Sequence, residues 1–273
     1  MGYYIMVGDG VNYYVEDLNP AGTKTILFLH GWPANHKLFE YQFDQLPKLG
    51  YRCIGIDTRG FGNSDKPFNG YDYDTLSDDI RSIVNQMKLS NFTLLGHSTG
   101  GAIACRYMKR NNGFGVSRLV LCAAAAPSLI KRPDFPYGLD QSTVEDIIAT
   151  TIKDRPQMLV NFSNMFFFQH ITQAFSDWFF QLGLQAAGWA TAAIANTWIK
   201  ESLFDDLETI QIPTLIIHGI HDQIVPYPLG EIQKKMIKNS VLVPFEFSGH
   251  GSFYDQKDLF NQVLVNFIKN KNY

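Results

Sequence analysis

Six apolar stretches of strand length follow one another along the chain from Thr25 onward, separated by segments of helical period. They are TILFLH, RCIGID, FTLLGH, SRLVLCAAAA, TLIIHG and VLVPFEF. Strands that are apolar on both faces are typical of a parallel sheet covered by helices, because neither face meets water. Two shorter stretches, residues 3–7 and 11–15, flank Gly8-Asp9-Gly10 and predict a hairpin. The pattern therefore predicts an α/β fold with a mostly parallel, eight-stranded sheet flanked by helices.

Two of the intervening helices carry a clear apolar stripe, which buries one face of a helix against the sheet. The helix after Asp74 opens with Thr75-x-x-Asp78, the pattern of a capping box. Its stripe consists of Leu76, Ile80, Ile83, Val84 and Met87. The stripe of the last helix consists of Leu259, Phe260, Val263, Leu264, Phe267 and Ile268.

The strand rhythm stops between residues 127 and 212, where the pattern is mostly helical. A helical cap inserted between two core segments, residues 1–126 and 213–273, is the predicted organisation. We expect most of the cap aromatics to pack the cap against itself and the sheet, and some to line an apolar pocket. They are Phe162, Phe166, Phe167, Phe168, Phe175, Trp178, Phe179, Phe180, Trp189 and Trp198.

The composition narrows the classes of partner. Of 273 residues, 45% are hydrophobic and 18% charged, which suffices for a sizeable core. Lys and Arg number 23 against 26 Asp and Glu, so the formal charge is −3 and no basic excess is available to bind a nucleic-acid backbone. Residues 1–20 lack a basic segment followed by an apolar one, and no apolar run reaches membrane-spanning length. Neither nucleic acid nor a membrane is an expected partner.

Three cysteines, Cys53, Cys105 and Cys122, lie far apart inside apolar stretches. Their odd number and wide spacing fit neither a disulfide framework nor a zinc site. We therefore expect buried free thiols in a protein of the reducing cytoplasm.

The residues Gly96-His97-Ser98-Thr99-Gly100 stand directly between the strand FTLLGH and the helical run AIACRYM. A G-x-S-x-G match is common by chance, but a passage from strand to helix is what a nucleophile elbow requires. Glycines two residues to either side of Ser98 let the backbone turn sharply. The helix that follows directs its first N–H groups at developing negative charge. Ser98 is the predicted nucleophile, and a serine in a tight glycine turn is the alternative.

A serine hydroxyl becomes a good nucleophile only when a base takes its proton. His250, in Ser-Gly-His-Gly after the strand VLVPFEF, is the predicted base, because it stands at the carboxyl edge where open α/β sheets bind ligands. His97 is expected to point away from the elbow hydroxyl, and His30 to shape the loop after its strand. The remaining histidines are expected on the surface, in the cap or at strand ends, with no metal site among them: His36, His170, His218 and His221.

The imidazole in turn needs a buried carboxylate that fixes its tautomer. Asp222 follows the strand TLIIHG at the same edge of the sheet. The competing place, at the end of the strand before the cap, is occupied by residues 123–126, which are all alanine. Asp222 is therefore the predicted acid, and a capping role in the turn before Pro226 is the alternative.

Two backbone N–H groups usually bind the oxyanion of a tetrahedral intermediate. Thr99, next after the nucleophile, is one predicted donor. The loop after TILFLH contains His30-Gly31-Trp32-Pro33, and since Pro33 has no N–H, Trp32 is the other. The Trp32 indole is then expected to cover the acyl site.

In this order and spacing, the motifs HGWP, DTRGFGNSD, GHSTGG, HGIHDQIVP and SGHG resemble those of the α/β-hydrolase fold superfamily. The nearest resemblance is to bacterial aryl esterases and to the cofactor-free, non-haem haloperoxidases, which are perhydrolases. It covers essentially the whole chain, and the order Ser98, Asp222, His250 is the one that this fold uses. The resemblance implies a serine carboxylesterase for small acyl or aryl esters, without metal or organic cofactor. It also implies an acyl pocket near Phe162, Phe166, Ile224 and Val225.

Pro33 follows the oxyanion-hole Trp here as it does in family members that make peracids. The resemblance therefore implies perhydrolysis as a secondary activity, in which the rigid ring positions the Trp32 carbonyl to accept a hydrogen bond from peroxide. The alternative is that Pro33 only stiffens the loop. An amidase, a lactamase or a dedicated perhydrolase would use the same residues, and a slow-turnover ligand receptor is the alternative from another class. Family members often form homo-oligomers, so assembly of several copies is compatible with the resemblance.

Overall fold

The computed structural model describes residues 1–270, and eight strands within them form one sheet. The strands are β1 Gly2–Met6, β2 Asn12–Leu18, β3 Lys24–Leu29, β4 Tyr51–Ile56, β5 Phe92–His97, β6 Val116–Cys122, β7 Thr214–Gly219 and β8 Ser240–Phe245. Their order across the sheet is β1-β2-β4-β3-β5-β6-β7-β8. Strand β2 pairs antiparallel with β1 and β4, and all other neighbours pair parallel. The predicted mostly parallel, eight-stranded sheet is confirmed.

Helices connect these strands. They are α1 Glu40–Gln45, α2 Tyr73–Gln86, α3 Thr99–Arg110, α4 Gln141–Phe166, α5 Gln173–Leu184, α6 Gly188–Lys200, α7 Phe204–Glu208, α8 Pro228–Met236, α9 Ser252–Asp255 and α10 Lys257–Lys269. Two 3₁₀ turns, His36–Phe39 and Pro47–Leu49, lie on either side of α1. The nucleophile motif thus lies where β5 passes into α3.

Helix α2 begins two residues earlier than the pattern predicts. Asp72, in an extended conformation, is its N-cap, and the Asp72 carboxylate accepts the Thr75 N–H at 2.8 Å. The predicted capping box starting at Thr75 is wrong, because the Thr75 amide already belongs to the first turn that Asp72 caps. The predicted stripe is confirmed, since Met87 is partly buried against the hydrophobic core and the first four members are fully buried in it: Leu76, Ile80, Ile83 and Val84.

Strands β5 and β7 comprise the predicted residues, and every side chain of both is buried. Strand β6, by contrast, ends at Cys122 and not in the alanine run that follows. Ala123 has a left-handed backbone with φ 44°. The carbonyl oxygens of Ala124 and Ala126 then accept hydrogen bonds from Gln233 Nε2 at 2.9 and 2.8 Å instead of pairing in the sheet. Small apolar residues fill a buried turn here, although their pattern is that of a strand.

Helices α4 to α7 occupy the segment between β6 and β7, residues 127–212, which we call the cap segment. Helix α4 is kinked at Asp154, shortly before Pro156. The second predicted core segment, 213–273, ends in residues 271–273, which lie outside the described residues. The division into a core and a separate cap stays a prediction.

The sheet order brings the functional candidates to one edge, because parallel strands end on the same side. Ser98 follows β5, Asp222 follows β7 and His250 follows β8, while the loop with Trp32 follows β3. These four strands lie within a run of five neighbours, β3-β5-β6-β7-β8. Residues far apart in sequence can therefore meet there.

The three cysteines are free and buried, as predicted. Burial raises the pKa of the Cys53 and Cys122 thiols to about 12, so both stay protonated at neutral pH. Within the described part of the chain, none of the helices is long and apolar enough to span a bilayer.

Candidate active site

Ser98 occupies the sharp turn between β5 and α3, with a backbone at φ 53° and ψ −120°. This conformation is strained for a residue with a side chain, and such strain occurs at functional turns. The Ser98 N–H donates to the Cys122 carbonyl at 2.9 Å, and the Ser98 carbonyl accepts the Gly101 N–H at 2.9 Å. A β-carbon on Gly100 would overlap the carbonyl oxygen of Leu29, so only glycine fits there. The turn therefore has the geometry of the predicted elbow.

Asp222 and His250 form a buried pair. His250 Nδ1 lies 2.7 Å from Asp222 Oδ2, and both side chains are fully buried. Asp222 Oδ1 accepts the N–H groups of Ile224 and Val225, each at 2.9 Å. His218 Nε2 donates to the Val225 carbonyl at 2.8 Å and lies 3.4 Å from Asp222 Oδ2. The predicted acid also caps its own turn, so both interpretations of Asp222 describe the same side chain.

The surroundings of this pair leave one nitrogen of His250 available. Burial by itself raises the pKa of Asp222, but the imidazoles of His250 and His218 outweigh burial and lower this pKa below its ordinary value. The ionised carboxylate accepts the Nδ1–H of His250, which makes Nε2 the basic nitrogen. This Nε2 is buried and hydrogen-bonds to none of the residues 1–270, Ser98 included. Catalytic hydrogen bonds often tighten only when substrate binds.

His97 connects the elbow to the backbone of His250. The His97 Nε2–H donates to the His250 carbonyl at 3.1 Å, and the two ring centroids are 4.5 Å apart. Burial, followed by the neighbouring His250, lowers the pKa of His97 well below its usual value, so this imidazole is neutral. The residue before Ser98 thus contacts the predicted base, a contact that the motif alone did not indicate.

The Trp32 loop lies directly against the elbow. A β-carbon on Gly31 would be 2.9 Å from the Ser98 β-carbon. The Gly31 carbonyl accepts the Nδ1–H of His30 at 3.0 Å, which confirms that His30 shapes this loop. Because the Gly31–Trp32 peptide is planar and trans, the Trp32 N–H points away from that carbonyl. Thr99 is the first residue of α3, so its N–H has no acceptor within the helix.

Aromatic rings from the cap segment enclose these groups. Phe166 packs edge-to-face on His250 with ring centroids 5.0 Å apart, and Phe162 packs edge-to-face on Trp32 at the same distance. Pro33 and Phe162 line a cavity of about 10 Å³. Trp32 and Thr99 line a second cavity of about 10 Å³. Each has room for about one water, so the space beside the site is small in this conformation.

Other predicted positions fall elsewhere. Ile224 and Val225 bind Asp222 through their backbones, and neither is among the residues that line the two small cavities. A larger surface cleft, about 620 Å³, is lined by charged side chains and contains none of the predicted site residues. This charged cleft and the candidate chemistry are therefore in different places.

The remaining histidines take structural positions. His36 is buried, and its Nδ1 lies 2.7 Å from Asp57 Oδ1, so the expectation of a surface, cap or strand-end position is wrong for His36. The buried Asp57 carboxylate needs donors, and His36 supplies two of them. The exposed His221 ring stacks on Phe168 at 4.0 Å. In the described chain, no three His, Cys, Asp or Glu side chains are grouped to hold a metal ion.

Asp255 joins the cap segment to the loop of His250, and its local sequence carries no signal for this role. The Asp255 carboxylate accepts the Gly249 N–H at 2.8 Å. It also accepts the N–H groups of Phe168 and Gln169, each at 3.0 Å. One carboxylate thus holds the segment directly after α4 beside the loop of the predicted base.

Comparison with known proteins agrees with this fold. Residues 24–257 match the family described as alpha/beta hydrolase fold. The AB hydrolase superfamily protein YisY of Bacillus subtilis (strain 168) is 43% identical over 267 residues, which are 98% of this chain and 99% of the relative. An esterase structure from Exiguobacterium antarcticum (EaEST) has a TM-score of 0.96 and 41% identity, covering 99% of this chain and 100% of that one.

A bromoperoxidase structure from Bacillus anthracis has a TM-score of 0.94 and 32% identity over 99% of this chain and 100% of that one. The chain therefore belongs to the α/β-hydrolase fold family. It is a hydrolase of this family, and the resemblance to esterases and haloperoxidases that its motifs indicate is confirmed.

Proposed function

We propose that the protein is a serine carboxylesterase that hydrolyses small acyl or aryl esters through an acyl-enzyme. One observation carries the proposal. Nδ1 of the buried His250 is held by Asp222 at 2.7 Å, while its Nε2 has no partner among the described residues. Leaving a buried polar atom unpaired costs about 1–3 kcal/mol. Such a cost is expected where the atom has a task in the reaction.

In the first half-reaction, Ser98 Oγ forms a bond to the ester carbonyl carbon while its proton passes to His250 Nε2. The carbonyl π electrons move to oxygen, and the N–H groups of Trp32 and Thr99 bind the resulting oxyanion. Asp222 stabilises the imidazolium. As the carbonyl re-forms, the ester C–O bond breaks and the alcohol leaves with the proton from Nε2, so the acyl group remains on Ser98.

In the second half-reaction, water takes the place of the alcohol. His250 Nε2 accepts a proton from water as the hydroxyl oxygen bonds to the acyl carbon, and the same N–H groups bind the second oxyanion. Collapse breaks the bond to Ser98 and returns the proton to its Oγ. The products are a carboxylic acid and free enzyme, and no cofactor takes part in the sequence.

The size of the small cavities beside Trp32 supports a preference for esters with short acyl groups. Both are about 10 Å³, and buried aromatic rings enclose them. One methylene too many in a rigid apolar pocket changes the free energy of activation by about 1–3 kcal/mol. We therefore expect kcat/KM to fall from acetate to octanoate in a p-nitrophenyl ester series. Amides and lactones of the same acyl size, run beside the esters, test the amidase and lactonase alternatives.

The proposal is tested by labelling with a fluorophosphonate. Ser98 Oγ attacks phosphorus, fluoride leaves, and the Ser98 proton passes to His250. We expect a single phosphonate adduct on the peptide that contains Ser98, found by mass spectrometry, together with loss of ester turnover. An adduct on another residue, or none, would contradict the proposal. An adduct on Ser98 in a protein that turns over no ester or amide would favour the slow-turnover receptor.

A second activity, perhydrolysis, is supported by Pro33 directly after Trp32 and by similarity to the Bacillus anthracis bromoperoxidase. Hydrogen peroxide would attack the acyl carbon on Ser98 in place of water, and one of its protons would pass to His250 Nε2. Collapse would then break the bond to Ser98 Oγ, release the peracid and return the proton from Nε2 to Oγ. The Trp32 carbonyl would accept a hydrogen bond from the O–H group that remains on the peroxide.

Replacing Pro33 by leucine tests this role. Because one hydrogen bond contributes about 0.5–1.5 kcal/mol, we expect the ratio of perhydrolysis to hydrolysis to fall about 2- to 13-fold in Pro33→Leu. Both rates are measured on the same acyl donor, so hydrolysis is the internal control. An unchanged ratio would show that Pro33 only stiffens the loop.

A further inference from the structure

Helix α6 of the cap segment is hydrogen-bonded to both predicted oxyanion residues. The Trp32 indole N–H donates to the Thr191 carbonyl of α6 at 3.0 Å. In the opposite direction, the Trp198 indole N–H of α6 donates to Thr99 Oγ1 at 3.1 Å. All four residues are buried. One helix therefore contacts the side chains of two residues from separate places in the chain, one in the loop after β3 and the other at the start of α3.

The two indoles also pack on each other. The rings of Trp32 and Trp198 are edge-to-face, with centroids 4.9 Å apart and an interplanar angle of 77°. Phe162 packs against Trp32 with centroids 5.0 Å apart, so the Trp32 ring has aromatic contacts from both α4 and α6. A buried ring with this packing and a hydrogen-bonded N–H has one favourable orientation. The backbone that carries it is restrained accordingly.

Helix α6 is itself fixed to the core at both ends. Before its first turn, the Ala187 N–H donates to the Gly60 carbonyl at 2.8 Å. In its last turn, the Thr197 hydroxyl donates to the Tyr71 carbonyl at 3.0 Å. The acceptors belong to the long loop after β4, not to the elbow or the Trp32 loop. The position of α6 is thus determined independently of the residues that it contacts in the site.

We propose that α6 sets the geometry of the oxyanion hole, and that Trp198 is a positioning residue that holds Thr99 through its hydroxyl. The inference rests on the proposed function and adds a residue to it. Thr99 opens α3, so a shift of its side chain moves the first N–H groups of that helix. Oxyanion donors act only within hydrogen-bond distance of the developing charge, and a misplacement of 1 Å can cost about 10²-fold in rate.

The chain provides a matched pair of tryptophans on α6. Trp198 is 4% exposed and bonds Thr99, whereas Trp189 is 44% exposed and its indole N–H donates to the Pro67 carbonyl at 2.9 Å. Replacing either by phenylalanine removes one indole N–H and keeps an aromatic ring. We expect W198F to lower kcat by about tenfold or more with a nearly unchanged KM, and W189F to leave both close to wild type.

A transition-state analogue separates positioning from general damage. A trifluoromethyl ketone forms a tetrahedral adduct with Ser98, whose proton passes to His250 while the ketone oxygen becomes the oxyanion. Analogues of this kind report transition-state binding. We expect W198F to weaken binding of the ketone by the same factor by which it lowers kcat/KM. Inhibition by the carboxylate product, which lacks this adduct, is expected to stay unchanged.

Variants of Thr99 complete the test. Thr99→Val removes the hydroxyl that accepts the Trp198 N–H, and it is expected to lower kcat as much as W198F does. Thr99→Ser keeps this hydroxyl and is expected to keep most of the activity. In the double variant T99V/W198F the two losses of kcat should not multiply, because each substitution removes the same hydrogen bond between Trp198 and Thr99. Wild-type kcat and ketone affinity in W198F, or multiplying losses, would overturn the inference. If Ser98 is still labelled by fluorophosphonate in that case, the proposed function stands and only the role of α6 fails.

Discussion

Ser98→Ala is expected to lower kcat/KM for p-nitrophenyl acetate by at least about 10³-fold. The variant keeps the proposed oxyanion donors, the N–H groups of Trp32 and Thr99, but has no atom that can form the proposed acyl-enzyme. Alanine carries a β-carbon as serine does, so the strained backbone at φ 53° is no less accessible to it and the fold should persist. Initial rates over a range of substrate concentrations, with circular dichroism to verify folding, measure the effect.

Ser252→Ala is the control for this experiment. Ser252 is buried and is the first residue of α9, which follows β8, and its hydroxyl lies 3.4 Å from the Cys122 thiol. Its loss also removes a buried hydroxyl near the carboxyl edge, yet it should leave turnover close to wild type. Activity of Ser98→Ala within about tenfold of wild type would refute Ser98 as the nucleophile.

The sheet could be predicted because most of its strands are covered on both faces. Strands β5 and β7 have the predicted residues, since burial of every side chain makes the whole strand apolar and gives it sharp ends. The edge hairpin shows the limit of this signal. The pattern predicts strands over residues 3–7 and 11–15, but β2 extends to Leu18, and half-buried and buried residues alternate along it without an apolar run that marks its end.

The alanines after β6 show a second limit. Residues 123–126 have the composition of a buried strand, but they turn, and Gln233 of α8 satisfies two of their carbonyl groups. Gln233 is more than a hundred residues away in sequence. A hydrogen-bond partner at that distance leaves no trace in the local pattern, so only the tertiary fold could reveal that the run is a turn.

Some residues of the candidate site could likewise be predicted from the sequence, and others could not. Ser98 has a local signature in the glycine turn between strand and helix, and Asp222 and His250 could be chosen because ends of parallel strands share an edge. Trp198 could not be chosen. The cap segment contains many aromatic residues, and no periodicity tells which indole of α6 faces Thr99 and which faces solvent.

Asp222→Asn is expected to lower kcat/KM by about 10⁴-fold, and the hydrogen bonds around the carboxylate give the reason. The N–H groups of Ile224 and Val225 both donate to Oδ1, so the amide oxygen of asparagine must take that place. Its NH₂ group then faces His250 Nδ1. This nitrogen must accept a hydrogen bond and lose its hydrogen, which moves the proton to Nε2, where it blocks transfer from Ser98. The loss of kcat/KM is measured from steady-state rates between about pH 5 and pH 9. This range is chosen because folded proteins are generally stable in most of it.

Asp57→Asn is the control for Asp222→Asn. It separates the effect of losing the correct His250 tautomer from the effect of losing a buried carboxylate. Asp57 is also buried, and its Oδ1 lies 2.7 Å from Nδ1 of His36. Neighbouring donors lower the pKa of the Asp57 carboxyl despite burial, as they do for Asp222. A carboxyl whose pKa is lowered by folding stabilises the fold above about pH 4, and this contribution is lost as the pH falls. Both variants should therefore be less stable than wild type at neutral pH, by a margin that narrows in acid. Only Asp222→Asn should lose activity by orders of magnitude, and an equal loss in Asp57→Asn would mean that Asp222 acts through stability alone.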